Sequence, residues 1–200
     1  HSWYRRQRQM CIRDRTNVTE FFADAESSFD NSKFVYYGYP YDGTACFRKG
    51  ASLAPDEIRK HSYNFETYLL ELGVDITYVS MNDWGNIDVS PNQKKNEAAV
   101  EETVSKIVNA NKFPIGLGGE HSLTPPAVKA LHTKYPTLSV VILDAHLDFR
   151  KEYEGNPLSH ATVTRRVSEI VGLEKVRPVG IRSVSQLSLI HISEPTRPIR

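Results

Sequence analysis

The sequence predicts an α/β fold, a three-layer α/β/α sandwich built on a mostly parallel sheet. Two observations predict this class: apolar runs alternate with helical patterns along residues 33–181, and several of these runs are continuously apolar rather than alternating in polarity. No internal repeat or linker divides the chain, and about 170 residues are enough to bury one sizeable core. We therefore expect a single domain.

The alternation consists of five apolar runs and four helical patterns. The predicted strands cover residues 33–39, 76–80, 113–117, 138–143 and 176–181, and the predicted helices cover 54–62, 91–111, 125–134 and 160–171. The runs at 113–117 and 140–143 are expected to be central strands, because continuous apolar sequence is typical of strands buried on both faces.

The predicted helix at 91–111 has the clearest pattern. Ser90 is the expected N-cap, with Pro91 at the first helical position. Four apolar residues then recur at a spacing that places them on one face of the helix: Val100, Val104, Ile107 and Val108. We expect this face to point into the core.

Both ends of the chain are expected to lie outside the native fold. Residues 5–15 (RRQRQMCIRDR) and 187–197 (LSLIHISEPTR) each match one reading frame of the transposase-adapter DNA used in sequencing-library preparation. The alternative is a basic arm and a disordered tail. We expect residues 1–15 and 187–200 to be adapter-derived and poorly packed, and residues 16–186 to be the N-terminal portion of the native domain.

The adapter-like ends change the charge and cysteine content of the chain. The full sequence has a formal net charge of +1, but the ends hold seven Lys and Arg against two Asp and Glu, so the remainder is at −4. Nucleic acid and anionic membranes are therefore not expected as partners. No apolar run approaches the ~18 residues that span a bilayer. Cys11 lies in the first end and Cys46 alone remains, which favours a reducing compartment and the cytoplasm.

Potential metal ligands follow the strand predicted at 138–143. Asp144, His146 and Asp148 alternate in the sequence DAHLD, and the two-residue period of an extended chain directs them to one side. Open parallel sheets bind ligands at the carboxyl ends of their strands. Taken alone, the motif also fits a polar turn with solvated acids and a locally capping histidine.

Two further histidines occupy comparable positions. His121 follows the strand predicted at 113–117 in the sequence GGEHS, whose glycines permit a tight turn and a close backbone approach. His160 opens the last predicted helix. The alternatives are a plain tight turn for the first and a structural or surface histidine for the second. Neighbouring strand ends would nevertheless bring His121 beside the aspartates.

Four segments together resemble the arginase and agmatinase (ureohydrolase) family, across nearly all of residues 33–186. They are YPYDGTACFRKGASLAPDEIR at 39–59, GLGGEHS at 116–122, VVILDAHLDFR at 140–150 and NPLSHATVTRR at 156–166. The resemblance implies an arginase-like fold and a cofactor of two manganese ions. Carboxylate and imidazole ligands without a thiolate suit manganese better than structural zinc.

The resemblance also implies a role for each candidate residue. His121 and Asp148 would bind the first manganese ion, His146 the second, and Asp144 would bridge them. His160, in an SHA position similar to the family's SHG, would shuttle protons or contact the substrate, so His160 and Asp148 are the predicted catalytic residues. A hydroxide shared by the ions would attack the guanidinium carbon, and a proton from His160 would help to release urea.

The segment DFRKEYEGNPLSHA looks like the agmatinase branch of the family, which implies hydrolysis of agmatine to putrescine and urea. Two alternatives stay open. One is a sibling hydrolase acting on arginine, guanidinobutyrate or aminopropylagmatine, and the other is a non-catalytic metal-binding or regulatory homologue. A homo-oligomer is implied by the resemblance alone. The family completes its site with aspartates well downstream, so the 200-residue chain by itself is expected to be inactive.

Overall fold

The computed structural model describes residues 20–184, and the adapter-like ends at 1–15 and 187–200 lie outside the described residues. The strands are β1 Phe34–Tyr39, β2 Tyr68–Leu69, β3 Val74–Asp75, β4 Met81–Asn86, β5 Phe113–Gly118, β6 Val140–Leu143 and β7 Val176–Val179. The α-helices are α1 Ala54–Ser62, α2 Gln93–Asn109, α3 Thr124–Lys134 and α4 Val163–Val171. None of the helices in this part of the chain combines the length and the apolar character needed to span a membrane.

The strands form two parallel sheets and a short antiparallel ribbon. Strand β1 lies between β4 and β5 and pairs in parallel with both, β6 pairs in parallel with β7, and β2 and β3 form the ribbon. The predicted α/β class with a mostly parallel sheet is confirmed. Within residues 20–184 the parallel strands belong to two sheets, because β5 and β6 do not pair with each other.

Strand β1 is the central strand of the first sheet and is buried on both faces. Val35 and Tyr37 pack against α2 and α3 on one side, and Tyr36 packs with Leu117 of β5 on the other. The predicted apolar face of α2 is confirmed, since four of its residues are almost completely buried: Val100, Val104, Ile107 and Val108. Their burial fixes the helix against the sheet.

A second core joins α3 and α4 to β6 and β7. Helix α3 contributes Ala130 to the first core and Val128 to the second, so it links the two sheets. On β6, Val141 is 63% and Leu143 is 81% exposed, and Phe113 of β5 is also exposed. The prediction that β6 is buried on both faces is therefore wrong for the described residues, because the side that carries Val141 and Leu143 is uncovered. Strand β5 is exposed at Phe113, whereas its Leu117 is buried.

The prediction of a strand at 76–80 is also wrong. Residues Ile76–Tyr78 form a 3-10 helix, and the strand follows at Met81–Asn86. Asp75 caps this 3-10 helix by accepting hydrogen bonds from the N–H and the hydroxyl of Thr77, at 3.0 and 2.8 Å. Such local bonds compete with a strand ladder. The true strand is rich in Asn, Asp and Gly, which are depleted in strands and conceal it in the sequence.

Helix α2 begins later than predicted, with Asn92 as its N-cap instead of Ser90. The Asn92 side chain accepts the N–H of Lys95 at 3.3 Å. Ser90 pairs with the buried Asn96: its N–H donates to Asn96 Oδ1 at 2.8 Å, and its carbonyl accepts from Asn96 Nδ2 at 2.9 Å. These two bonds hold Ser90 and the following Pro91 outside the helix.

A buried ion pair attaches α1 to β4. Arg59 donates two hydrogen bonds to Asp83, from Nε at 2.8 Å and from Nη2 at 2.9 Å, and both side chains are fully buried. Asp83 also accepts the N–H groups of Phe22 and Gly85. One carboxylate therefore holds together the helix, the strand and the segment that precedes β1.

Replacing Arg59 with methionine is expected to lower the free energy of unfolding by about 3 kcal/mol, because Asp83 is left as an unpaired buried charge. Thermal or guanidinium unfolding measures the loss. The control is Lys60→Met on the same helix, which removes an exposed cation and is expected to cost less than about 0.5 kcal/mol. Similar losses in the two variants would contradict a stabilising role for the buried pair.

Candidate metal centre

The loops that follow β1 and β5 meet at the carboxyl ends of these neighbouring strands. The N–H of Gly119 donates to the carbonyl of Tyr39 at 2.8 Å, and the N–H of Glu120 donates to that of Tyr41 at 2.9 Å. The chain then turns into a 3-10 helix, His121–Leu123, which begins with the candidate ligand His121. The backbone of one loop thus fixes where the other presents its histidine.

The loop that follows β6 carries the other candidate ligands. Asp144 continues the pairing with β7 through its N–H, and its Oδ1 accepts the N–H of His146 at 2.8 Å. Asp148 has a φ of 47°, a left-handed conformation that aspartate tolerates better than most residues. The buried side chains of Leu147 and Phe149 anchor this loop.

Three of the predicted ligands come together. His121, Asp144 and Asp148 each offer one ligand atom, and these atoms lie within 4.8 Å of one another. His121 Nδ1 is 3.3 Å from Asp144 Oδ2 and 3.3 Å from Asp148 Oδ2. Two atoms bound to one ion at about 2.2 Å are at most about 4.4 Å apart, so both of these separations suit ligands of a shared cation.

His146 lies beside this group without belonging to it. Its Nδ1 is 3.5 Å from Asp144 Oδ1, whereas His121 faces Asp144 Oδ2. Asp144 therefore presents one oxygen to each histidine. The His146 side chain is 65% exposed, so its ring borders the open side of the cluster.

His160 contacts the loop after β1. Its Nδ1 is 3.0 Å from Thr44 Oγ1, and its backbone N–H donates to the same oxygen at 3.1 Å. Its Nε2 is 3.8 Å from Cys46 Sγ, and the ring of Tyr153 meets the imidazole edge-on. A hydrogen bond to Cys46 raises the pKa of Tyr153. His160 thus has polar contacts at both ring nitrogens.

Glu120 and Thr44 are functional candidates to which the sequence analysis gave no role. The N–H and the hydroxyl of Thr44 donate to the two oxygens of Glu120 at 2.8 and 2.9 Å, and the Ser122 hydroxyl donates at 2.6 Å. The only sequence signal is a carboxylate within GGEHS, between the glycines and His121. Glu120 therefore connects the position of His160, through Thr44, with the turn that holds His121.

The loop that carries Thr44 is closed by Asp42. Its carboxylate accepts the N–H of Gly50 at 2.7 Å and the hydroxyl of Ser52 at 3.2 Å. The bond from Gly50 is the main reason that the pKa of Asp42 is lowered. These bonds fold the intervening residues, including Thr44 and Cys46, back over the end of the sheet.

Gly119→Ala is expected to lower the free energy of unfolding by about 1–3 kcal/mol and to weaken metal binding. A Cβ at this position would lie 2.2 Å from the carbonyl oxygen of Tyr41 and 2.9 Å from that of Tyr39, so the turn before His121 must move. Unfolding and metal titration measure the two effects. The control is Gly73→Ala. Gly73 lies between β2 and β3 and also has a strained backbone for alanine, with a φ of 63°. Equal metal affinity in both variants would show that the turn does not set the ligand position.

Sequence comparison adds a family relationship to this geometry. A sequence model described as Arginase family matches residues 32–194. An agmatinase of Bacillus cereus is 42% identical over 171 residues, which cover 85% of this chain and 59% of that protein. An N(1)-aminopropylagmatine ureohydrolase of Thermococcus kodakarensis is 41% identical over 157 residues, which cover 77% of this chain and 52% of that protein.

Structure comparison identifies a relative of the same kind. The agmatine ureohydrolase of Thermoplasma volcanium superposes with a TM-score of 0.81 at 36% sequence identity, over 98% of this chain and 61% of that chain. The present chain thus spans between 52% and 61% of the length of these three relatives.

Proposed function

This chain belongs to the arginase family, and from that premise we propose that the whole protein is an agmatinase, which hydrolyses agmatine to putrescine and urea. The observation that carries the proposal is the position of Asp144, whose two oxygens face two different histidines. A carboxylate shared in this way suits a pair of adjacent cations. Because the chain spans 59% of the Bacillus cereus agmatinase, the activity is proposed for the whole protein.

We assign the ligands as the motif pattern suggests. His121 and Asp148 would hold the first ion, His146 would hold the second, and Asp144 would be shared between them. The 3.3 Å separations around His121 and the 3.5 Å separation at His146 support this division. His146 Nδ1 already faces Asp144 Oδ1, and its side chain is 65% exposed.

The donor set fits two manganese ions. It consists of carboxylate and imidazole groups without a thiolate, which favours a hard or borderline divalent cation in an open site over structural zinc. A pair of such ions supplies a nucleophile at neutral pH by lowering the pKa of water. Asp144 and Asp148 would also neutralise much of the positive charge brought into the cluster.

His160 is the proposed proton donor to the nitrogen that leaves. An amine departs from a tetrahedral carbon more easily once it is protonated, and histidine exchanges protons near neutral pH. Its contacts to Thr44 and Cys46 place it beside the ligand loops without making it one of the three grouped ligands. This position supports a role in proton transfer.

A second substrate class is supported by one observation. The Thermococcus kodakarensis relative, an N(1)-aminopropylagmatine ureohydrolase, is 41% identical to this chain, almost as similar as the Bacillus cereus agmatinase. The guanidino group and its hydrolysis are common to both substrates, which differ only in what is attached to the far amine. Aminopropylagmatine is therefore the second candidate.

Urea release from a panel of guanidino compounds tests the proposed function. The whole protein is loaded with manganese and assayed with agmatine, aminopropylagmatine, guanidinobutyrate and arginine. We expect agmatine to give the highest kcat/KM. A higher kcat/KM for another compound would make that compound the proposed substrate instead of agmatine. Stoichiometric manganese binding without urea release from any compound would support a non-catalytic homologue.

The cytoplasm and a homo-oligomeric state are also part of the proposal. A single cysteine, Cys46, remains outside the adapter-like ends, which suits a reducing compartment. A small guanidino compound is the proposed partner, and no nucleic acid or membrane is expected from the charge of residues 16–186. Light scattering of the whole protein determines the oligomeric state.

A further inference from the structure

We infer that Glu120 and Thr44 position His160, holding its ring with the proton on Nδ1 and leaving Nε2 as the nitrogen that exchanges protons. The inference deepens the proposed function and rests on it for the catalytic use of His160. The tautomer of the ring follows from hydrogen-bond geometry alone. Glu120 and Thr44 act through His160, so both are positioning residues.

The Thr44 hydroxyl donates its hydrogen to Glu120. Glu120 is buried and receives three donors: the Thr44 N–H at 2.8 Å, the Thr44 hydroxyl at 2.9 Å and the Ser122 hydroxyl at 2.6 Å. A carboxylate surrounded in this way acts as the acceptor for all of them. A threonine hydroxyl has one hydrogen, so that of Thr44 is committed to Glu120.

The remaining lone pairs of Thr44 Oγ1 face His160. The backbone N–H of His160 donates to this oxygen at 3.1 Å, and Nδ1 of the same residue lies 3.0 Å from it. Because its only hydrogen points to Glu120, Thr44 Oγ1 pairs with Nδ1 only as an acceptor. Nδ1 therefore carries a hydrogen. A neutral imidazole has one N–H, so Nε2 is left with its lone pair.

Ser159 is the competing partner for Nδ1. Its Oγ is 3.3 Å from Nδ1 and accepts the N–H of Ala161 at 3.3 Å. If Ser159 donated to Nδ1, lone pairs of Nδ1 and Thr44 Oγ1 would face each other at 3.0 Å, which is repulsive. On the opposite side of the ring, Cys46 Sγ lies 3.8 Å from Nε2, and a thiol can donate to or accept from that nitrogen. The contacts at Nδ1 therefore set the tautomer.

This arrangement has a direct consequence for the reaction. With Nδ1–H tied to Thr44, a proton gained by His160 resides on Nε2 and is delivered from that atom. Glu120 directly precedes His121 in the chain, so the turn that places a metal ligand also orients the proton donor. In Ser-His-Asp sites a carboxylate fixes the histidine tautomer that transfers the proton. Here a threonine hydroxyl lies between the carboxylate and the histidine.

The tautomer can be read spectroscopically, independently of activity. In the whole protein labelled with ¹⁵N-histidine, His160 is assigned by its loss in His160→Gln, and one-bond and two-bond ¹⁵N couplings identify the protonated nitrogen. We expect the Nδ1–H form. Thr44→Ser keeps the hydroxyl and should preserve this form, whereas Thr44→Val removes the acceptor and should shift the ring towards Nε2–H.

Kinetics separate positioning from simple structural support. Thr44→Val is expected to lower kcat for urea release about 10- to 100-fold with little change in KM and in bound manganese, and Thr44→Ser should restore kcat to within about threefold of the parent. An Nε2–H ring in the parent, or equal kcat in the Ser and Val variants, would overturn the inference. A parent protein that shows the Nδ1–H ring but releases no urea would overturn the proposed function and leave the positioning of the ring intact.

Discussion

Replacing Asp144 with alanine is expected to lower kcat/KM for urea release by the whole protein at least about 1,000-fold, a loss of about 4 kcal/mol in transition-state stabilisation. One oxygen of Asp144 faces His121 and the other faces His146. Removing this carboxylate therefore takes a ligand from both proposed ions. Steady-state assays with agmatine measure the rate, and metal analysis of the dialysed protein measures the bound manganese.

Asp30→Ala is the matched control for this substitution. Asp30 is an exposed aspartate that precedes β1, at the end of the strand opposite the ligand loops, and the carbonyl that accepts from Lys112 is kept in alanine. We expect its activity and metal content to equal those of the parent. An Asp144→Ala protein that retained two manganese ions and a tenth of the parent rate would exclude the bridging role.

Replacing His160 with alanine is expected to lower kcat about 100- to 10,000-fold while both manganese ions remain bound. The expected loss is that of a general acid, because His160 contacts Thr44 and Cys46 and not the grouped ligands. The same assays and metal analysis apply.

His61→Ala is the control for the loss of an imidazole. His61 lies on α1, is 62% exposed and pairs only with Glu57 among its charged neighbours in the described chain, so its removal should leave kcat and manganese content unchanged. Loss of manganese in His160→Ala would instead identify His160 as a ligand. An unchanged kcat would remove it from the proton pathway.

The sequence predicted most elements of the fold, because apolar periodicity reports directly on burial. The apolar face of α2 is an example. The prediction of a strand at 76–80 was wrong because Asp75 bonds locally to Thr77. The both-face burial expected for β6 was wrong because it depends on which elements cover a strand, and this is a tertiary property.

The candidate site divides in the same way. The three grouped candidate ligands were predicted because they lie within a few residues of the carboxyl ends of strands, where chain direction largely determines their place. The connection from Glu120 through Thr44 to His160 joins residues 76 and 116 positions apart. No local pattern contains such a contact, so only the structure gives these residues a role.

The proposed ligands belong to two sheets that share no backbone pairing within residues 20–184: His121 follows β5, whereas Asp144 and Asp148 follow β6. Ions held by these residues would tie the two parts together, in addition to helix α3 and the contact between Thr44 and His160. A ligand that binds only the folded state stabilises it by about 2.7 kcal/mol at a hundred times its Kd. The amount of folded protein would then follow the free manganese concentration of the cell. Manganese starvation would shorten the lifetime of the protein as well as lower its catalytic rate.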